Sequence, residues 1–241
     1  AVMLRPLPYP NADRLVMLQH RDERTGLTKP NIAVGDFIDI GKRATMLAQV
    51  VAYSPGQSVV YGPDEPINVQ ALSVSAGLAE ALGVRAAAGR LLTADDSRLD
   101  AAPVAVLGHS LWTNHFGADP NVIGRRIQMG QVAREIVGIA EPGFQFPPTT
   151  GRQTDIIVPQ RVPADAPAGR RNGWPTVFAA LAPGVTVDQA ATELRALSES
   201  FEREFPADNV GVRYTALPIR DALLGDTKQP LLLMLGAVGF V

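Results

Sequence analysis

The residues best suited to chemistry are Gly108-His109-Ser110-Leu111-Trp112, which follow an apolar run and open a helical pattern. That is the setting of a nucleophile elbow, where a tight strand-to-helix turn presents a serine hydroxyl to an acyl carbon. The elbow needs a small residue two places after the serine, because strand and helix pack closely there, and Trp112 occupies that place. The base is missing as well. Of the three histidines, His109 is adjacent to the serine, His115 shares its helix and His20 precedes it. The base of such a site comes instead from a distant loop after the strands. Ser110 therefore reads as the cap of a helix running to Phe116. Its use as a nucleophile belongs to one alternative only, a membrane-anchored secreted hydrolase or ligand-binding domain.

Metal and phosphate chemistry fare no better. His20, His109 and His115 form no i, i+4 pair and no HExxH, so a catalytic zinc has no ligand set. Asp95, Asp96 and Asp100 lie close together but lack the central glycine of a calcium loop. Thr93-Ala94-Asp95-Asp96 reads better as a helix start, with acids at the positive end of the dipole. Gly35 and Gly41-Lys42 have five residues between the glycines, one too many for a P-loop, and Arg43 replaces its hydroxyl residue. The chain has no cysteine, which excludes zinc ribbons, thiol nucleophiles and redox pairs. Arg125-Arg126 and Arg170-Arg171 read as solvated pairs on turns. A balance of 22 basic to 24 acidic residues argues against a nucleic-acid partner held by a global positive field. No catalytic, cofactor-binding or metal residue is nominated, and no cofactor is expected.

The elements that would have to position any site read as mixed α and β. Arg5-Pro6-Leu7-Pro8-Tyr9-Pro10, with proline at every second place, predicts an extended lead-in. A strand is expected at Arg14 to Gln19. A helix is expected over Val34 to Leu47, where Phe37, Ile40, Ala44 and Leu47 recur at three- and four-residue steps. Strands follow at Gln49 to Tyr53, Ser58 to Tyr61 and Ile67 to Val74, broken by Pro55-Gly56 and Gly62-Pro63. Val104 to Leu107 reads as a buried strand, and Asp119-Pro120 closes the helix after it. Ile127 to Val132 reads as a hairpin with Gly130 at its tip, returning along Arg134 to Ile139. Glu141 to Pro148 is a stiff loop, Asp155 to Val158 a short strand, and Pro163 to Gly173 an exposed linker. Thr186-Val187-Asp188-Gln189 has the capping-box form. It starts an apolar stripe of Val187, Ala190, Ala191, Leu194, Leu197, Phe201 and Phe205 that Pro206 ends. Strands at Thr176 to Leu181 and Gly211 to Leu217 flank that helix. Strand–helix–strand thus occurs near the start and again near the end, with an insertion between.

The chain ends matter for function. With 241 residues and 46% hydrophobic content, folding buries roughly 70% of the unfolded surface without any disulfide or metal. The chain starts at Ala1 without an initiator methionine or a secretory signal pattern, which reads as a piece of something longer. Leu231 to Val241 is an uncharged apolar run, too short for the about 20 residues of a membrane span, and it lacks the polar positions of a surface helix. It reads as the first part of a divided transmembrane helix. A soluble cytoplasmic interaction domain is a third class, disfavoured by the lack of a Lys/Arg cluster beside the tail.

Taken in order, the motifs resemble the extracytoplasmic core domain of MacB/FtsX-type ABC transporter permeases, and the long acidobacterial-type permeases of that group most. The resemblance runs from Leu4 to Val16, where Arg5-Pro6-Leu7-Pro8-Tyr9-Pro10-Asn11-Ala12-Asp13-Arg14 looks like the stretch after a first membrane helix. It continues through Leu82-Gly83-Val84, Gly89-Arg90, Asp95-Asp96, Val104 to Leu107, Leu111-Trp112, Phe116-Gly117, Asp119-Pro120 and Ile123-Gly124. Val137 to Phe144 and Phe146-Pro147 follow, and Gln229-Pro230 onward resembles the start of a second membrane helix. The resemblance implies an α+β, two-part periplasmic core: a porter-like unit of two βαβ halves with an inserted mixed α/β, sabre-like unit. The implied division is a lead-in over 1–13, porter halves at 14–92 and 173–228, the insertion at 93–172, and a truncated transmembrane helix at 229–241. It also implies a non-enzymatic domain of an inner-membrane permease. Such a domain carries the motion of membrane helices, driven by a cytoplasmic ABC ATPase subunit, to export or to a periplasmic adaptor or substrate protein. The membrane is reached through flanking helices, the full-length assembly is a dimer, and nucleic acid is no partner. The chain departs from the fused exporter in lacking a nucleotide-binding segment. Exposed loops at Glu141 to Pro148 and near Gly130 are where a partner could bind.

Overall fold

The computed structural model describes residues 7–61, 65–148, 153–162, 170 and 173–224. The apolar tail, the Gly62-Pro63 turn and most of the 163–173 stretch lie outside them. In chain order the elements are β1 Leu15–Asp22, β2 Thr28–Lys29, β3 Asn31–Ala33, α1 Val34–Arg43, β4 Leu47–Tyr61 and β5 Pro66–Val74. Then come α2 Leu78–Leu82, β6 Ala86–Gly89, β7 Val104–Leu107, α3 His109–His115, β8 Arg126–Met129, β9 Val132–Ala140 and β10 Ile156–Pro159. The last are β11 Gly173–Leu181, α4 Val187–Glu204, α5 Pro206–Asn209, β12 Val212–Pro218 and α6 Ile219–Leu224. The fold is mixed α+β.

Strand pairing gives the order β12-β1-β11-β4-β5-β10-β7-β9-β6. At one side, β12, β1, β11 and β4 are antiparallel neighbours. Leu15 to Leu18 and Val177 to Leu181 are buried at every position, as expected where both faces of a sheet are covered. Val16, Leu18, Val177 and Ala179 pack with Phe37 and Ile40 of α1 and Ala190, Leu194 and Phe201 of α4. Leu15, Met17, Phe178 and Ala180 face the opposite core, with Leu78, Leu82, Phe144 and Phe146. At the other side the sheet closes on itself. β4 pairs β5, β5 pairs β10, β10 pairs β7, β7 pairs β9, β9 pairs β8, and β8 returns to β4. Val60, Val69, Leu107, Ile127, Ile136, Ile139 and Ile156 fill this ring, with Leu111 of α3.

Several expectations are corrected. The helix expected to Leu47 stops at Arg43. The Glu193 carboxylate accepts from Thr45 N (2.8 Å), Thr45 Oγ1 (2.7 Å) and Met46 N (3.0 Å), drawing the chain out of the helix. Leu47 shares the helix-side core with Phe37 and Ile40 because β4 brings it there; its helical spacing is coincidental. The two strands expected around Pro55-Gly56 are one strand of 15 residues. Ala52 and Ser75 exchange bonds on the β5 side, while Val59 O accepts from Gly130 on the other. Alternation therefore turns the Pro55 nitrogen to the second side, between the end of β11 pairing at Tyr53 and the start of β8 pairing at Val60. No ladder bond is lost there.

Ser110 does not cap α3; Gly108 holds the N-cap position and no side chain bonds there. The Gly108 N–H donates to Asp155 O at 2.7 Å, and a Cβ on Gly108 would lie 2.1 Å from Thr154 O. The glycine serves close packing of two backbones. The helix start expected at Thr93-Asp96 is only a 3-10 turn over Asp95–Ser97; there the Asp96 carboxylate accepts from Arg90 (2.6 and 2.9 Å) and from Thr93 N and Oγ1. Burial would raise the Asp96 pKa; these bonds outweigh it and hold it below the usual carboxylate range. The Thr186–Gln189 capping box forms as expected, with 3.3 Å from Gln189 N to Thr186 Oγ1.

Arg170 is no linker charge. Its side chain is 10% exposed, and it donates to Asp36 and Asp39 of α1, each at 2.5 Å, while its guanidinium lies 3.5 Å over the Phe205 ring. Asp36 is fully buried and also accepts from Tyr214 Oη (2.6 Å) and Asn209 Nδ2 (3.1 Å). A buried carboxylate is tolerated when paired and fully hydrogen-bonded, so this cluster ties α1, α5 and β12 together. Burial first, then the Asp36 charge, pushes the Tyr214 phenol well above its ordinary pKa of 10. Replacing Asp36 with alanine leaves Arg170 with Asp39 alone and takes the acceptor from Tyr214 and Asn209, and is expected to cost about 3–5 kcal/mol in urea denaturation. Tyr214→Phe should cost about 1–2 kcal/mol.

Candidate functional site

The described ends of the chain meet at one edge of the four-stranded part. Val16 of β1 lies opposite Pro218 of β12, whose chain runs on into α6. Residues 7–14 do not take the extended path that the prolines predict; Arg5 and Pro6 of that stretch lie outside the described residues. Ala12 N donates to Tyr9 O at 3.1 Å, and a 3-10 turn follows at Ala12–Arg14. Asn11 docks on the C-terminus of α2: its N–H donates to Leu82 O (3.3 Å) and its Nδ2 to Glu80 O (3.1 Å) and Ala81 O (3.2 Å). These carbonyls have no partner within their own helix, so an outside donor satisfies them. The turn that exposes them needs Gly83 at φ 75°, with Asn11 Nδ2 3.0 Å from where a Cβ would stand. Arg14 adds a bond from Nε to Leu181 O at 2.9 Å.

Tyr9 is 5% exposed and donates from its hydroxyl to Gln145 O in the Glu141–Pro148 loop. Its ring joins a cluster with centroid separations of 6.1 Å to Phe146, 4.9 Å between Tyr53 and Phe146, and 4.8 Å between Phe146 and Phe178. Such aromatic pairs add to area burial. Phe146 is held by Thr154, whose Oγ1 accepts from Phe146 N (3.1 Å) and donates to Phe146 O (2.9 Å). Burial, and secondly Tyr53, raises the Tyr9 pKa, and burial pushes the Tyr53 phenol up to about 12. Both stay neutral, as a donor in an apolar cluster must. Ile219 of α6 is buried in the same core, with Ala222 packed against it. One cluster thus joins the incoming segment, the outgoing helix, β4, β11 and the 141–148 loop. Asp13 and Arg220 also approach, at 3.9 Å, but Asp13 is 97% exposed, so that pair holds little.

The residues that could do chemistry are scattered. Ser110 lies in the first turn of α3, which anchors in the ring core through Leu111, and the His109 ring stands edge-on to Trp112 at 5.3 Å. His20 is on β1, with Nδ1 bonded to Asn31 O at 2.8 Å and its pKa lowered mainly by burial. It lines a cavity of about 520 Å³ with Asp22, Lys29, Asp208 and Tyr214. No serine borders it. Among the described residues no group of His, Asp and Glu is placed to hold a metal, and no helix is long and apolar enough to cross a membrane. Tyr9 and Asn11 stand in the sequence only as part of a proline-rich stretch; their neighbours in it, not their chemistry, mark them.

A family model of the MacB-like periplasmic core domain matches residues 4–197. Among solved structures, a domain assigned to a permease protein from Porphyromonas gingivalis has a TM-score of 0.64 at 18% identity, covering 88% of this chain and 92% of that one. The periplasmic region of MacB from Actinobacillus actinomycetemcomitans scores 0.60 at 13% identity, covering 96% and 98%. The extracellular domain of the noncanonic ABC-type transporter YknZ from Gram-positive bacteria scores 0.58 at 14% identity, covering 84% and 99%. No curated protein matches in sequence. The matched span takes in the Asn11 dock, the aromatic cluster and the closed ring, and with them this chain belongs to the MacB-like periplasmic core domain family, the extracytoplasmic part of ABC permeases.

Proposed function

We propose that the domain is a mechanical coupler, which receives the motion of membrane helices at the edge where both described ends meet and passes it to export or to a periplasmic partner. The observation that carries this reading is the shared core of Tyr9, Phe146 and Ile219, through which the incoming and outgoing segments grip the same body. Close-packed cores resist compression, so displacement at that edge moves the body as a unit. A cytoplasmic ABC ATPase is the motor this reading requires, and a periplasmic adaptor or substrate protein the receiver; the working assembly is a dimer.

The division into units follows the pairing. The porter-like unit comprises β1, α1, the first part of β4, β11, α4 and β12, in antiparallel order β12-β1-β11-β4. The sabre-like unit is the closed ring, inserted between the two halves. Because β5 and the end of β4 belong to the ring, pairing supports an insertion that begins within β4, ahead of the residue 93 that the resemblance implies.

In the parent permease, the Tyr9→Ala, Asn11→Ala double variant is expected to leave nucleotide hydrolysis running while transport per ATP falls about tenfold. Asn11→Ala alone should cost the isolated chain about 1 kcal/mol, so it stays folded. Unchanged coupling in a folded double variant would overturn the proposal. The hydrolase alternative predicts turnover of p-nitrophenyl esters that Ser110→Ala abolishes; the expected result is no turnover above buffer in either protein.

The site is also expected to set an alkaline limit. Tyr9, Tyr53 and Tyr214 all have raised pKa values when folded. Their stabilising contribution is complete below the unfolded phenol value of 10 and is lost as pH rises toward about 12 for Tyr53. In a Tyr61→Phe background, which removes the one exposed phenol among the described residues, tyrosinate absorbance followed together with far-UV dichroism should show these phenols ionising with unfolding, and ionisation in a still-folded chain would contradict it.

A further inference from the structure

The closed ring has a polar end that neither its packing nor the coupling role explains. Arg134 on β9 lies directly opposite Ile127 on β8, and paired residues share a face. Ile127 belongs to the ring core, as does Ile136 two places beyond Arg134, so Arg134 points into the ring. Its Nε is buried without a hydrogen-bond partner, and no carboxylate pairs with it among the described residues. Glu135 stands opposite exposed Arg126 on the other face. Burial, and secondly the charge of Arg161, lowers the Arg134 pKa. Arg161 itself donates to the backbone oxygens of Leu99 (3.3 Å) and Ala101 (2.5 Å). Asp100, whose carboxylate feels Arg161, is held by Arg98 at 3.0 and 2.9 Å. Arg134 and Arg161 are therefore close enough to feel each other's charge, with no carboxylate bonded to either among the described residues.

Gln160 completes the arrangement. Its N–H donates to Val74 O at 2.7 Å, extending the β10–β5 ladder by one residue. Alternation then puts its side chain on the face of Ile156 and Val158, inside the ring. It is 4% exposed, and among the described residues neither its Nε2 nor its Oε1 has a partner. The β10–β7 pairs end at Ile157–Val106 and the β7–β9 pairs begin at Val104–Glu135; continuing both registers past those ends brings Gln160 to the level of Pro103 and Pro103 to that of Arg134. The two side chains thus enter the ring at one level, two strand spacings apart, roughly 10 Å. One ligand between them is within reach of both.

We propose that this end of the ring binds a small oxyanion bearing a hydroxyl donor, such as hydrogen phosphate or a hydroxy-carboxylate, between Arg134 and Gln160. The chemistry sets the class. Arginine offers donors only, whereas an amide both donates and accepts. An acceptor-only anion such as sulfate satisfies Arg134 and Gln160 Nε2 but leaves Gln160 Oε1 unmatched; hydrogen phosphate satisfies all three.

The test is thermal unfolding of the 241-residue chain in sodium phosphate, sodium sulfate and sodium chloride at equal ionic strength near neutral pH. Phosphate at ten times its Kd is expected to raise Tm by about 3 °C, with sulfate binding about tenfold more weakly. Arg134→Gln should abolish the response to both anions, and Gln160→Leu should make them equal. A phosphate response no larger than that of chloride, or one that survives in Arg134→Gln, overturns the proposal. A measurement on the unaltered chain guards against misfolded variants: phosphate should shift the Gln160 side-chain amide resonance and sulfate should shift it less. A resonance that does not move also overturns the proposal.

Discussion

One strand belongs to two ladders, and the rest of the structure depends on it. β4 pairs with β11 over Leu47 to Tyr53 and with β8 at Val60 and Tyr61 on one edge, while β5 occupies the other edge from Tyr53 onward. At 15 residues it is roughly 50 Å long. Its peptide groups must find partners along that whole length, since buried unpaired ones are costly. The four-stranded part and the ring therefore cannot separate or slide without breaking ladder bonds. A relative motion of the two parts has to be a bend of β4, and the stretch free on one edge, around Pro55 and Gly56, is where such a bend costs least.

The second constraint is the buried carboxylate of Asp36. It sits in the first turn of α1, where the helix dipole favours a negative charge, and gathers Arg170, Asn209 and Tyr214 from segments far apart in sequence. Hydrophobic packing alone would let α1 and α4 adjust against the sheet in several ways. A carboxylate with named donors does not, because each shift unpairs a buried group. Arg43 reinforces the same helix pair from the surface, with 2.6 and 2.8 Å bonds to Glu204. The half of the molecule that receives the chain ends is thereby stiffened on the face opposite the aromatic cluster.

Local patterns were legible in the sequence where one chemical rule acted alone. The capping box at Thr186, the apolar run at Val104 and the hairpin at Gly130 all form where spacing places them. What spacing could not show is competition between distant partners. Leu47 has helical periodicity, yet Glu193, some 148 residues from Thr45, ends the helix before it. Pro55 reads as a break only until the neighbouring strands are known. Arg170 looks like a solvated charge because Asp36 is 134 residues away. The misfit of Ser110 to a nucleophile elbow was legible from Trp112 and the histidine positions. The Asn11 dock was not, because an asparagine among prolines looks like a turn residue whatever it touches.

Tethering at a single edge has a physical consequence for a coupler. If the chain ends left from opposite sides, pulling on them would load the core in tension, and the weakest ladder would open first. Here the start of β1 and the end of β12 are neighbours in an antiparallel pair, and their flanking segments converge on the same core. A difference in the motion of the two attached segments then acts as a shear between adjacent strands, the direction in which every ladder bond of the pair shares the load. A common motion produces no internal load and swings the body as a whole. Both cases leave the buried cores intact, so the displacement reaches the far end of β4 without local unfolding. That is the requirement on a part that works by moving, and it needs no reactive side chain.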